Sequence, residues 1–221
     1  MVINRRFFFD HIRSGPFRGK LSPSQVKGME AILGHWEAWG RRGDDRWLAY
    51  ILATVFHETA ETMQPVRETL ADDDARAIAI LERAFAEGRL RWVKTPYWRP
   101  DETGRSWLGR GFVQLTHRRN YEAMSAITGI DLVADPDRAM ETGPALAILF
   151  EGMARGSFTG KKLSDYFEGG NEDWVEARRI VNGTDRAALI AGYGRSFYAA
   201  IGHRPSACPG KVEGGFPSGN A

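Results

Sequence analysis

The chain has 221 residues, 43% of them hydrophobic, and 30 Lys and Arg stand against 28 Asp and Glu for a formal net charge of +2. That length fits one domain with a core that needs no staples, and so small an excess of charge argues against bulk binding to nucleic acid. The single cysteine, Cys208, excludes an intrachain disulfide, a paired-cysteine metal site and an iron–sulfur cluster; it lies among Pro205, Pro209 and Gly210 and reads as a passive thiol.

No stretch approaches about eighteen consecutive apolar residues, so no membrane-spanning helix is expected. Arg5-Arg6-Phe7-Phe8-Phe9 has the beginnings of a twin-arginine export signal, but Asp10, His11 and Arg13 cut the apolar run short. Phe7, Phe8 and Ile12 read instead as core residues of a first helix, and the product is expected in the cytoplasm until something releases it. Ser22-Pro23 marks the start of a second helix, with Ser22 as cap and the proline in the first turn. Val26, Met29, Ile32, Leu33, Trp36 and Trp39 then recur at three- and four-residue steps, until Gly40 and Gly43 end it. Asp44-Asp45 opens a third helix through Trp47, Leu48, Ile51, Leu52, Val55 and Phe56. It is apolar nearly all round, which predicts a buried central position, and Pro65 prevents its continuation.

Asp72-Asp73-Asp74 reads as the start of a helix over Ala75–Glu87, where acids complement the dipole, rather than as a cation loop, since no closing glutamate follows a glycine turn. Residues 89–107 are irregular and rich in Trp, Tyr, Pro and Arg. Acids at Asp101 and Glu102 dilute that basic stretch as a nucleic-acid patch. Gly109 to Thr116 reads as a short β segment entering a helix at Arg118 or Asn120. Further helices are expected at about Gly143–Arg155, Glu172–Val181 and Arg186–Ile201. The expected architecture is a mainly α-helical α+β fold with one small β-rich, loop-rich region, a single domain over residues 1–201 and a loose tail over 202–221.

The chemistry points first to Glu58, at the end of the most apolar helix. Burial beside Val55 and Phe56 and the negative end of the helix dipole both favour a protonated carboxyl, which is what a general acid requires. The plain alternative is a helix-end glutamate in solvent, and on this feature alone the two stand level. Glu68 follows Pro65-Val66-Arg67 and could turn back across the helix end, where a second carboxylate would hold a water. Glycoside hydrolysis needs such a pair, about 6.5–9.5 Å apart for inversion and about 5–5.5 Å for retention. Glu61 competes with Glu68 for that part, although it reads more simply as an exposed acid paired with an arginine. Gln114 and Thr116 share one face of the predicted strand and offer an amide and a hydroxyl suited to sugars, while Val113 and Leu115 face the other way. His57 either orients the acid or is a packed histidine. Tyr97, Trp98 and Trp107 either stack on sugar faces or pin their loop to the core. Arg178-Arg179 reads as a solvated helix face. Five scattered histidines give no metal-ligand pair.

Taken together, His57-Glu58-Thr59, Glu68 and the run Gly109-Arg110-Gly111-Phe112-Val113-Gln114-Leu115-Thr116-His117-Arg118-Arg119-Asn120-Tyr121 resemble glycoside hydrolase family 19, which contains plant-type chitinases and phage endolysins. Ile180-Val181-Asn182-Gly183 and Gly192-Tyr193-Gly194-Arg195-Ser196-Phe197-Tyr198 resemble later motifs of the same family, in family order, over about residues 5–201. The resemblance implies a lysozyme-like fold with a cleft between helical lobes, lined by the small β region. It implies a general acid at Glu58, a base at Glu68, and Thr116 holding the attacking water. It implies sugar-binding roles for His57, Gln114, Asn120, Tyr121, Asn182 and Trp107, and a bracing or binding role for Arg195. It implies inversion, with no cofactor and no metal. The ten-residue interval between the two acids and the lack of disulfides are closer to the endolysin branch. The implied function is therefore an endolysin-type lysozyme cleaving β-1,4 bonds of peptidoglycan, a monomer reaching the wall after release through a holin. Two alternatives are a chitinase and a non-catalytic wall-binding protein.

Overall fold

The computed structural model describes residues 2–40 and 43–202; Cys208 and the tail expected beyond Gly202 lie outside them. Seven α-helices and one two-stranded sheet occur among the described residues. Helix α1 spans Arg5–Ser14, α2 Pro23–Ala38, α3 Asp45–Glu58, α4 Asp74–Ala86, α5 Arg118–Thr128, α6 Thr142–Arg155 and α7 Ala187–Ile201. The mainly helical α+β expectation holds.

The helix starts follow their sequence signals. Asn4 accepts a hydrogen bond from the Phe7 amide. Ser22 and Gln25 form a reciprocal capping box with Pro23 in the first turn. Asp73 accepts from the Arg76 amide at 2.7 Å and caps α4, while Asp72 pairs with Arg76 at 3.1 Å. The three aspartates are thus a helix start. Among the described residues no cluster of His, Cys, Asp and Glu could hold a metal, and no helix is long and apolar enough to cross a membrane.

Helix α3 forms the axis of the core. Ten of its fourteen residues, Arg46 and Leu48 to Phe56, are buried. Each large apolar side chain so buried stabilises the fold by about 1.5–3 kcal/mol. Its most extensive partner is α7, which also meets α1. Gly194 on α7 makes room for the Trp174 ring, from which a Cβ would stand 2.7 Å. In α1 the core residues are Phe8 and Ile12. Phe7, expected inside, is half-buried and stacks on His11, and Phe9 packs against the core in its stead. A smaller cluster of Ala77, Leu81, Trp98 and Leu108 seats α4 under the irregular segment.

Two predicted elements came out shorter. The sheet is only β1 (Val66–Arg67) against β2 (Arg110–Gly111), antiparallel, with Val66 opposite Gly111 and Arg67 opposite Arg110. Beyond Gly111 the chain does not continue as a strand. It folds back on itself so that Arg110 bridges Leu115, with Gln114 at φ +53°. The face division survives nonetheless, since Val113 and Leu115 are buried while Gln114 and Thr116 are half-exposed. The helix expected over Glu172–Val181 is a 3-10 turn, Glu176–Ile180, because the turn-formers Asn182, Gly183 and Asp185 follow at once.

Burial also sets a pH response. His35 on α2 lies 4.6 Å from the Phe150 ring, and burial pulls its pKa below 6.5 against the opposing charge of Glu151. His57 and His117 are shifted downward too, again mainly by burial. A histidine whose pKa is lower in the folded chain stabilises the fold in its neutral form. That contribution is complete above 6.5 and is lost as pH falls from there through the folded value. The thermal midpoint should therefore drop between about pH 7.5 and about pH 5.5, and by less in His35→Gln. Equal drops in the two proteins would contradict this assignment.

Candidate active site

Glu58 closes α3. The helix stops because the Thr59 hydroxyl donates to the Val55 carbonyl at 2.7 Å and accepts from the Met63 amide at 3.1 Å. Ala60, Glu61 and Met63 then take positive φ, so the chain turns before Pro65 is reached. Helix α2 clamps this turn. Gln25 donates to the Glu61 carbonyl at 2.9 Å and Gln64 to the Ser24 carbonyl at 2.7 Å. Gly28 is obligatory for the clamp, since a Cβ there would stand 1.8 Å from the Met63 carbonyl oxygen.

The Glu58 side chain is 16% exposed, and its Oε1 accepts from Arg178 Nη1 at 2.5 Å. Arg178 is 3% exposed and also donates to the Asp185 carbonyl at 3.3 Å. This corrects two readings of the sequence. Arg178 is not part of a solvated face, and the guanidinium that braces Glu58 is not Arg195, which lies on the exposed side of α7. Arg178 had a legible signal. Trp174, Ala177, Arg178 and Val181 recur at helical steps, so the arginine occupies a core position, where a charge is found only when paired.

Glu68 is held as firmly by different donors. Its Oε1 accepts from the Tyr97 hydroxyl at 2.6 Å and its Oε2 from the Gly109 amide at 2.8 Å. Its own amide donates to the Gly109 carbonyl at 2.7 Å, which continues the β1–β2 pairing. Burial, then the charge of Glu68 and the hydrogen bond to it, push the Tyr97 hydroxyl far above its ordinary range, so it remains a donor. Each Glu68 oxygen retains acceptor capacity for a water. The two-stranded sheet beside Glu68 is fixed by charge. Arg110, 1% exposed, pairs with Asp74 and Asp137, and Arg67 pairs with the same two acids.

A groove of about 560 Å³ is lined by Trp92, Val93, Lys94, Thr95, Tyr97, Thr116, His117 and Asn182. Tyr97 ties it to Glu68. Thr116 does so through Gly109, where a Cβ would stand 3.3 Å from both Glu68 Oε2 and the Thr116 methyl. Asn182, from the segment after the 3-10 turn, ties it to Glu58, because its amide donates to the Arg178 carbonyl at 3.1 Å. The Thr116 hydroxyl makes no hydrogen bond among the described residues. His57 lines a separate cavity of about 180 Å³ with Glu61, Arg186 and Tyr193. Burial lowers the pKa of His57, Arg178 and Arg186 add to the effect, and Glu58 and Asp185 oppose it. Glu61 pairs with Arg18 at 3.3 Å, the simpler of its two sequence readings.

Other expected sugar-binding residues are occupied with structure. Tyr121 is fully buried, donating to the Leu108 carbonyl at 2.8 Å and accepting from Arg110 at 3.0 Å. Trp107 is buried, donates to Asp101 at 2.9 Å and packs against Tyr121. Trp98 is buried and donates to Glu82 at 2.8 Å. Gln114 donates to the carbonyls of Val66 at 2.8 Å and Gly111 at 3.3 Å, holding the loop to β1. Asn120 donates to the Thr116 carbonyl at 2.7 Å and so fixes the start of α5. The aromatic that sequence reading passed over is Trp92, 75% exposed on the groove.

Backbone strain concentrates here. Nine described non-glycine residues have positive φ, and seven of them (Ala60, Glu61, Met63, Thr69, Leu70, Gln114 and His117) lie within five residues of Glu58, Glu68 or Thr116. Each such residue costs of order 1–3 kcal/mol and persists only where the surroundings enforce it, a pattern typical of functional sites.

Glu68 is thus bonded directly to a residue of the groove wall, Tyr97, and Glu58 reaches the wall at Asn182 through Arg178. Among solved structures the chain is similar to chitinase C from Streptomyces griseus HUT6037, at 20% identity and TM-score 0.50, over 91% of this chain and 77% of that one. It is also similar to a bacterial family 19 chitinase, at 22% identity and TM-score 0.42, over 93% and 97% of the two chains. The chain has the fold of chitinase C. No protein-family model matches it, and no curated protein matches it.

Proposed function

We propose that the chain is a glycoside hydrolase that cleaves β-1,4 bonds between N-acetylated amino sugars, with peptidoglycan as substrate, in the manner of an endolysin. The observation that carries this reading is the groove whose walls are bonded to two carboxylates, Asn182 through Arg178 to Glu58 and Tyr97 directly to Glu68. In the proposed mechanism Glu58, beside its apolar helix, protonates the leaving oxygen. Glu68 takes a proton from a water that the Thr116 hydroxyl helps to hold, and one displacement inverts the sugar carbon. Arg178 offsets the negative charge left on Glu58 once its proton has gone. No metal or cofactor enters the scheme. The reading carries with it release from the cytoplasm through a holin-type pore and action as a monomer.

A second reading, chitin as substrate, is favoured by the fold shared with chitinase C. The two are separated by incubating the protein with purified sacculi and with chitin oligomers in heavy-oxygen water, then analysing products by mass. Labelled muropeptides with clearing of the sacculi support peptidoglycan. Labelled chitobiose without clearing supports chitin. Binding to sacculi with no labelled product would leave only a wall-binding protein.

A further inference from the structure

We infer that Lys94 and Trp92 form a reader for acid-bearing sugars on the wall of the groove, Trp92 stacking on a sugar ring and Lys94 pairing with a carboxylate on it or on a peptide attached to it. The inference rests on the hydrolase reading above and deepens its choice of substrate.

Val93 packs on the small cluster around Leu81, Trp98 and Leu108, and its amide donates to the Leu90 carbonyl at 3.0 Å. That anchor leaves the residues on either side, Trp92 and Lys94, exposed on the groove. An indole 75% exposed is unusual for a residue not meeting a partner. The two other tryptophans of residues 89–120 need no such explanation, since Trp98 and Trp107 are buried with their ring N–H groups bonded to acids. Lys94 differs from the arginines around it. Arg89 pairs with Glu87, Arg91 donates to the Gly88 carbonyl and Arg99 pairs with Glu82, whereas Lys94 has no acidic partner among the described residues. The groove lining holds no carboxylate, and Lys94 is its one residue with a full formal charge.

A flat apolar face beside a free ammonium suits a pyranose that carries an acid. Chitin is a neutral polymer and gives Lys94 nothing to pair with. Peptidoglycan carries a lactyl ether on alternate sugars, as a free acid or extended by an acidic peptide, and so supplies a carboxylate at every second sugar. An exposed ion pair of this kind changes affinity by up to about fivefold, and salt screens it. Ring stacking is worth more, up to about tenfold, and does not depend on salt.

The test compares kcat/KM on soluble peptidoglycan strands with kcat/KM on neutral N-acetylglucosamine oligomers for wild type, Lys94→Met and Trp92→Ala, at about 0.05 M and about 0.5 M salt. Lys94→Met should lower the ratio of the two constants about fivefold at low salt, through KM, and the difference should shrink at high salt. Trp92→Ala should lower both constants together, by up to about tenfold. A ratio unchanged in Lys94→Met, or a fall that is indifferent to salt, overturns the inference. Wild-type turnover of the neutral oligomers alone also overturns it while leaving the hydrolase reading standing. No turnover of either substrate by wild type ends both.

Discussion

Glu58→Gln should lose about 10²–10⁴ in kcat on the cleaved glycan, the usual worth of a general acid, while KM and retention on sacculi stay close to wild type. The amide is isosteric and keeps an oxygen for the Arg178 contact, so the fold and groove are preserved. What it lacks is the proton for the leaving oxygen. Steady-state kinetics and a sacculus pull-down on the same preparation read the two effects separately. Wild-type turnover by Glu58→Gln would remove this residue from the chemistry and return the protein to a binding role.

Arg178→Met should be the more damaging change for the fold. It deletes a buried cation whose carboxylate partner is itself mostly shielded, and breaking a buried pair by removing one member costs about 3–5 kcal/mol. Glu58 would be left at the negative end of α3 with no compensating charge. A loss of about 10² in kcat should accompany the fall in stability, because misplacing a reacting group by about 1 Å is enough for that. Arg178→Lys should recover part of the stability but less of the rate, since an ammonium cannot replace the planar fork. Chemical denaturation and kinetics on the three proteins check both parts. The same substitution at exposed Arg195 should shift stability by under about 0.5 kcal/mol. A cost at Arg178 no greater than that would contradict the pairing.

The legible parts of the molecule were those written locally. Helix caps at Ser22, Asp44 and Asp73 and the apolar run from Leu48 to Phe56 fix where the helices lie, because capping and burial depend on neighbours a few residues away. Glu58 and Glu68 are legible as acids placed at either end of a forced turn. Their pairing with Arg178 and Tyr97 is not, since those residues lie 120 and 29 positions off in sequence, even though the spacing around Arg178 marks it as buried. The motif around Gly109 misleads for a related reason. Alternation of Val113, Gln114, Leu115 and Thr116 is the same for a strand and for a loop folded on itself. Only the positive φ of Gln114 and the Arg110–Leu115 bridge distinguish them. Arg110 and Tyr121 look like functional motif residues, yet they are bonded to each other inside the protein and support the two-stranded sheet beside Glu68.

In the proposed mechanism two acids act on one bond from opposite sides in a single step. The most direct measurement is proton NMR of the sugar formed within the first seconds to minutes of hydrolysis, before mutarotation mixes its anomers. The new reducing end should be released as the α anomer from a β-linked substrate. Release as the β anomer would mean a covalent intermediate or two displacements, and would contradict the assignment of Glu68 as the base that activates water.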